Sequence, residues 1–518
     1  MISTWESHEL IEHLKAALRE IEALPAAAEI SGGEVSVLTL NGPNSVSMKK
    51  KANAGAQPET LENETPVGGY EGGDTMAIPT QQGGRVAGSP ADEALFSKIS
   101  WHILPLLIIC YIIAFIDRIN IGFAQLQMKQ TLAFSDEAYA FGAGIFFLGY
   151  FLFEVPSNLM LEKIGARKTL LRIMFCWGIV ASAMMYVQTP TQFYILRFLL
   201  GAFEAGFFPG IILYLTFWYP SARRGQVIAI FMTGTAIAYL LAGPTSGAIM
   251  KYMDGFLGHY GWQWLFVVQG LPATFLGIFA YFYLKDRPEE ASWLTGAEKT
   301  ALRNHLDNDK QCVESASHGS LGALLRDPKV YTLSLIYCVF LGATYAMLFW
   351  TPTLIKSWGV VDLFWIGMAS SVPALFGIVG MVLIGRSSDR QRERRWHFLF
   401  TTAIAAAGVL VTILTQGNLV GSLAGLCLVG IGQSAMTPIF FAAVSEYIPK
   451  KTAAGGIALI SSLGNLGPFV TPSIVASINS ATGTPVASMV LVITLWLAAG
   501  MMLTYVLRPA PSTQFAIA

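Results

Sequence analysis

The sequence predicts an all-α membrane protein in which about twelve transmembrane helices form two pseudo-symmetric bundles of six, and three observations carry that prediction. Of the 518 residues, 53% are apolar and only 13% are charged, against roughly 25% charge in an average soluble domain. Apolar stretches of spanning length recur from Trp101 to Arg508. Each is near the roughly 20 residues that a helix rising about 1.5 Å per residue needs to cross the hydrocarbon of a bilayer. A pattern found in the first half of this region is also repeated in the second.

In chain order, residues 1–95 come first and differ in kind. "ESHELIEHLKAALREIEAL" has the spacing of a short amphipathic helix, and the stretch after it is rich in Gly, Pro and polar residues. The expectation is a disordered tail on the cytoplasmic side, with no apolar region that could serve as a signal peptide and no indispensable role. Spans are expected near 101–124, 138–160, 169–188, 191–218, 226–251 and 263–284, making a first bundle over 96–285. A polar central loop over 286–330 comes next. A second bundle over 331–508 has spans near 331–356, 362–386, 397–416, 418–447, 453–479 and 486–507, and residues 509–518 form a short tail. The repeat supports this division. "PGIILYLTFWYPSARRGQVIAIF" at Pro209 is answered by "PIFFAAVSEYIPKKTAAGGIALI" at Pro438, and "GPTSG" at Gly243 by "GPFVTP" at Gly467.

Short loops on one side collect Lys163, Arg167 and Lys168, then Arg223 and Arg224, then Arg386, Arg390, Arg392, Arg394 and Arg395, then Lys450 and Lys451. The other side has only Lys129, Lys251 and Lys356. By the positive-inside rule the first set is cytoplasmic, so both termini and the central loop lie inside a cell membrane crossed many times. Net formal charge is zero, which gives nothing to attract nucleic acid. The five cysteines include no C-x-x-C pair, the histidines are scattered, and no Walker, zinc or nucleophile-elbow motif is found. No metal, no cofactor and no enzymatic activity are therefore expected.

The chemistry must come from charges inside the spans. "YIIAFIDRINIGF" places Asp117 and Arg118 within an apolar run, and "TQFYILRFLLGAFEAGFFPGIILYLTFWYP" places Arg197 and Glu204 seven residues apart on one helix face. Intramembrane ionisable residues cost at least about 2.5 kcal/mol each to insert, so they need partners, a polar cavity or a task. One reading makes Arg197 an ion-pair partner of Asp117 that pins two helices together. The other is functional. Asp117 and Glu204 take up protons in a desolvated site while Arg118 and Arg197 stay charged, so protonation unmasks the arginines for an anion. A guanidinium fork fits a carboxylate in two parallel hydrogen bonds, which points to a small organic anion carried with protons. Tyr150, Tyr345 and Asn465 each offer one polar group to a central cavity or to an adjacent helix. Asn465 lies in a Gly- and Pro-interrupted segment, where backbone beside a cavity is expected. Loops after the second and eighth spans, "NLMLEKIGARKTLL" and "GRSSDRQRERR", share an acidic and basic core. Glu162, Arg167, Gly385, Asp389 and Arg390 are the candidates there for clamping helix ends and gating one transport state, beside plain positive-inside anchoring.

These stretches, together with "GYFLFEVPSNLMLEKIGARK", closely resemble the anion:cation symporter family of the major facilitator superfamily, and within it bacterial tartrate- and phthalate-type permeases. The resemblance runs from Leu95 to about Pro509. It implies the major facilitator fold, proton coupling through Asp117 and Glu204, coupling or anion binding by Arg118 and Arg197, and a cavity lined at Tyr150 and Asn465. The superfamily's loop motif has a glycine before its acid, matched by Gly385 but replaced by Asn158 in the first half. The function so implied is import of a small organic anion by proton symport, powered by the proton gradient and carried out by a monomer in the bilayer. A proton-driven drug exporter of the same fold and a transporter-like nutrient sensor are the alternatives. The exporters share "GPTSG", and only the long tail favours a sensor.

The topology is testable by thiol labelling of single cysteines introduced at Gly258 and at Lys310. A membrane-impermeant reagent added outside should label the first and spare the second; the reverse pattern would invert the orientation.

Overall fold

The computed structural model describes residues 90–315, 325–448 and 453–507. The tail up to residue 89 therefore lies outside the described residues, as do Lys450, Lys451, His318 and the side chain of Glu162. Twelve helices, all long and apolar enough to cross a membrane, are present among the described residues. The boundary expected at residue 95 is corrected. Helix α1 (Pro90–Ile119) starts at Pro90 with Asp92 and Glu93 in its first turn, because proline is preset for a first helical turn and the acids complement its dipole.

The first span continues from α1 into α2 (Ile121–Thr131). Then come α3 (Asp136–Ile164), α4 (Ala166–Ala183), α5 (Pro190–Glu204) with α6 (Phe207–Thr216) as one span, α7 (Ser221–Tyr252) and α8 (Gly261–Tyr283). Local sequence explains the starts. Ser135 caps α3 by accepting from the Ala138 amide at 3.1 Å, and Thr189 with Gln192 forms a capping box ahead of Pro190 at the start of α5. The central loop is not wholly irregular. It contains α9 (Gly296–Ser315), opened by reciprocal bonds between Thr295 and Glu298. Those bonds, with Lys98 at 2.9 Å, hold the Glu298 carboxyl below the usual carboxylate range. His305 reaches Asp92 at 2.8 Å, so α9 is tied to the start of the first span.

The second half runs through α10 (Pro328–Ser357), α11 (Leu363–Gln391), α12 (Arg395–Leu414), α13 (Leu419–Tyr447), α14 (Ala453–Gly464) with α15 (Leu466–Thr482) as one span, and α16 (Val486–Val506). Asp327, Asp362 and Asn418 cap α10, α11 and α13 with their side-chain oxygens. Large apolar side chains such as Phe275, Phe279, Phe282 and Leu383 stay exposed, as a lipid-facing surface requires.

Contacts between the halves are made mainly by α7 with α11, α3 with α15, and α2 with α10. In span order these are five with eight, two with eleven, and one with seven. A two-fold operation that exchanges the halves maps the first pair onto the second and the third onto itself, so the repeat in the sequence is a repeat in space. The closest approaches sit toward the end that carries Lys129, Lys251 and Lys356. A side-chain carbon on Gly243 would fall against the Gly367 carbonyl, and one on Gly144 against that of Phe469. Gln125 donates to the Phe349 carbonyl, and Lys251 meets Asp362 at 2.5 Å. The halves are thus locked at this end.

Gly243→Ala should therefore destabilise the purified protein by about 1–3 kcal/mol, the range for overpacking a tight contact. Gly225→Ala, where a methyl meets open space, should be neutral or gain up to about 1 kcal/mol from helix propensity. Thermal melting in detergent compares them; equal melting temperatures would show that the Gly243 contact is not close.

Candidate functional site: a charged cluster between interrupted spans

Three spans are interrupted part-way, at Asn120, at Ala205–Gly206 and at Asn465, and each break coincides with or adjoins a candidate site residue. In the fourth span the backbone leaves the helical region. Ala205 is extended (ψ 133°) and Gly206 is left-handed (φ +86°), with Ser157 so close that a side chain at Gly206 would collide with it. Glycine meets both demands. Glu204 is consequently the last residue of α5, at a helix end inside the membrane region.

Successive residues on a helix point about 100° apart, which explains how Asp117 and Arg118 live side by side. Asp117 is turned into the first half. Its Oδ2 accepts from Trp177 Nε1 at 2.7 Å and its Oδ1 from Asn120 Nδ2 at 3.0 Å. Arg118 turns the other way and forms an ion pair with Glu204. The arginine side chain is 15% exposed and the glutamate 1%. The guanidinium carbon lies 5.1, 5.4 and 5.3 Å from the ring centres of Phe115, Phe146 and Tyr150, an aromatic cage worth about 0.5–2 kcal/mol per favourable contact. Tyr345, from the second half, is a further polar neighbour of Arg118 and packs against Phe147 at 4.7 Å between ring centres. Neither ion-pair partner is saturated: Arg118 Nε and Glu204 Oε2 are enclosed without a hydrogen bond.

Arg197 departs from the reading that makes it an ion-pair partner of Asp117. It is fully buried, and its Nε and terminal nitrogen donate to the backbone carbonyls of Gly142 at 3.3 Å and Ala143 at 3.1 Å on α3. Among the described residues it makes no ion pair with Asp117. It pins α5 to α3, and Phe146 covers its guanidinium at 4.9 Å. Asn465 stands at the junction of α14 and α15, and among the described residues its side chain makes no hydrogen bond to the cluster.

At the arginine-rich end, Arg167 donates twice to the Tyr281 carbonyl in the last turn of α8, at 2.9 and 2.7 Å, while its amide binds Asp286. This contact stays within the first half. In the second half Asp389 pairs with Arg394 at 2.6 Å rather than with Arg390, and Arg394 also holds Glu446 on α13 at 2.9 Å. Arg390 is exposed, and Gly385 has open space around it.

Two functional candidates escape the reading from spacing. Trp177, the donor to Asp117, carries no signal in sequence. Glu154 does: it is an acid in the middle of the apolar run "GYFLFEVPSN", and it is 5% exposed with Ser462 Oγ donating to it at 2.8 Å across the two halves. A shallow apolar groove between α3 and α15, lined by Phe141, Phe469 and Ser473, includes none of these charges and belongs to the lipid-facing surface.

Two bundles of six spans around a buried charged cluster define a membrane transporter, and comparison with known proteins agrees. The family model described as Major Facilitator Superfamily matches residues 107–472 and again 366–517. The chain is 42% identical over 408 residues to "Putative metabolite transport protein NicT" of Pseudomonas putida, covering 79% of this chain and 92% of that one. It is 44% identical over 395 residues to a "Putative tartrate transporter" of Agrobacterium vitis, covering 76% and 90%. A "Quinolone resistance transporter" of Acinetobacter baumannii is 39% identical over 415 residues, covering 80% and 95%. Among solved structures, a bacterial homologue of the human lysosomal transporter Spinster, inward-facing and unoccupied, aligns with a TM-score of 0.63 at 18% identity over 81% of this chain and 97% of that one. The D-xylose–proton symporter aligns with a TM-score of 0.61 at 13% identity, over 80% and 98%. The chain belongs to the major facilitator superfamily, and it is a transporter, not an enzyme.

The Arg197 geometry is testable. Lysine keeps the charge but cannot span two carbonyls as a rigid fork. Arg197→Lys should cost about 1.5–3 kcal/mol of stability, the range for a hydrogen bond to a charged group, read by thermal melting. An unchanged melting temperature would leave the fork without a structural role.

Proposed function

We propose that the protein imports a small organic anion together with protons across the cell membrane, as a monomer with the arginine-rich end and both termini in the cytoplasm. The observation that carries this reading is the Arg118–Glu204 ion pair. It is a cation in an aromatic cage whose counter-ion is itself able to take a proton. When Glu204 is protonated, the pair loses its attraction, and Arg118 is left as an uncompensated charge beside Tyr150 and Tyr345. A buried charge that loses its partner costs about 3–5 kcal/mol. A substrate carboxylate restores the balance by two hydrogen bonds to the guanidinium. Protonation and anion binding thereby favour one another, which is symport. The energy source is the proton gradient, with no cofactor. Asp117, held by Trp177 and Asn120, supports the same coupling from the neighbouring position.

The ion pair being made, with the halves joined at the lysine end, corresponds to an unloaded state of the transport cycle. Rocking of the two bundles about the charged cluster exposes it alternately to the two sides. Arg167 and the Asp389–Arg394–Glu446 chain brace helix ends at the cytoplasmic face. The names of the Agrobacterium relatives favour tartrate or a similar carboxylate. The Acinetobacter relative favours a second reading, export of drugs by the same fold, against which the two arginines of the cluster, Arg118 and Arg197, argue for anionic cargo.

The test is uptake of labelled tartrate, phthalate, a sugar acid and a pyridine carboxylate into proteoliposomes, with and without a protonophore. The parent should accumulate at least one of them only with an inward proton gradient. Glu204→Gln, which keeps size and removes the charge, should still bind that anion but lose the dependence on the gradient. Gradient-driven accumulation by Glu204→Gln equal to the parent's would remove Glu204 from coupling.

A further inference from the structure

Glu154 is a third carboxylate within the spans, and the coupling of Arg118 with Glu204 makes no use of it. It lies on α3, one helical turn beyond Tyr150, toward the arginine-rich end. One oxygen accepts from Ser462 Oγ at 2.8 Å, a contact between the two halves. Among the described residues it has no cationic partner within ion-pair distance. The titratable or charged groups that face it are Tyr150 on its own helix, Arg118 from α1 and Tyr337 from α10, while α14 contributes only the Ser462 hydroxyl. Glu154 also differs from Glu204 in burial: it is 5% exposed, whereas Glu204 is fully buried and its Oε2 is enclosed without a hydrogen bond. A proton on Glu204 therefore has no direct way out in this conformation.

We propose that Glu154 is the inner proton-transfer residue of the transport cycle, receiving the proton that Glu204 gives up and passing it to the arginine-rich side. The inference rests on the proton-coupled reading of the Arg118–Glu204 pair. The transfer is balanced and involves no other bond. The Glu204 carboxyl O–H breaks and its carboxylate re-forms the ion pair with Arg118. The Tyr150 side chain, near enough to both acids to feel their charge, accepts one proton at its hydroxyl as it donates another. Glu154 gains an O–H at the oxygen not held by Ser462 and later loses that proton to water. The geometry supplies what a relay needs: a donor paired with a cation that rewards its deprotonation, a tyrosine one turn from the acceptor, and an acceptor held in place by Ser462. The Ser462 bond makes the arrangement specific to this conformation, because rocking the halves apart at this end separates α3 from α14.

The experiment needs no substrate. The full chain in proteoliposomes is given a pH jump, and loss of carboxylic-acid protons is followed by time-resolved infrared spectroscopy in the parent, Glu204→Gln, Glu154→Gln, Glu154→Asp and Ser462→Ala. Glu154→Gln should slow release of the Glu204 proton on the order of tenfold or more, as removal of an acid–base group does. Glu154→Asp should recover part of that rate, and Ser462→Ala should stay near the parent. An unchanged rate in Glu154→Gln overturns the inference. Equal slowing in Glu154→Gln and Ser462→Ala also overturns it, since only the bond between the halves would then matter. Parent spectra that match those of Glu204→Gln would show that Glu204 does not titrate, and would bring down the symport reading along with this one. Melting temperatures within a few degrees of the parent's confirm that each variant is folded, and Glu154→Asp keeps the test open if the glutamine variant is not.

Discussion

Charge inside a bilayer has to be matched locally, and the pairing of Arg118 with Glu204 is where this protein meets that constraint. The rest of the first half is arranged to make the pair possible. Gly206 bends the fourth span so that Glu204 ends a helix. Arg197 locks that helix to α3 through two carbonyls, and the Phe115, Phe146 and Tyr150 rings shelter the guanidinium of Arg118. Asp117 is held beside the pair by hydrogen bonds from Trp177 and Asn120.

The same economy of contact marks the seam between the halves. Where the halves meet closely, they do so through glycines and a few polar links at the lysine-bearing end, whereas Glu154 and Ser462 join them nearer the arginine-rich end by one hydrogen bond. A seam of backbone against backbone has two clear states, packed or parted, because side chains are absent that could slide into intermediate fits. The charged cluster lies between the two ends.

Much of the site was legible beforehand because its residue types are improbable where they stand. Asp117, Arg118, Arg197 and Glu204 announce themselves as charges within apolar runs, and the same logic applies to Glu154, whose lack of a second charge on its own face hid it from a search by spacing. Partners were a different matter. Spacing allowed Arg197 to meet Asp117, but it binds two backbone carbonyls, and carbonyl groups are the same at every residue. The bracing chain through Arg394 and Glu446 was hidden for a related reason: Arg390 and Arg394 are alike in composition, and only the turn after α11 decides which of them meets Asp389.

The order and length of the spans, their six-and-six repeat and the identity of the buried charges are determined by the sequence alone, because hydropathy and helical rise are local properties that bilayer thickness turns into architecture. The helix from Pro90 carries a proline and two acids in its first turn, and the helix within the central loop is capped by Thr295 and Glu298. Which charge neutralises which, which end is closed, and the meeting of Glu154 with Ser462 across the halves depend on residues up to 308 positions apart. Those relations arise from the packing of whole helices and from the bend at Gly206, and no neighbouring stretch of chain encodes them.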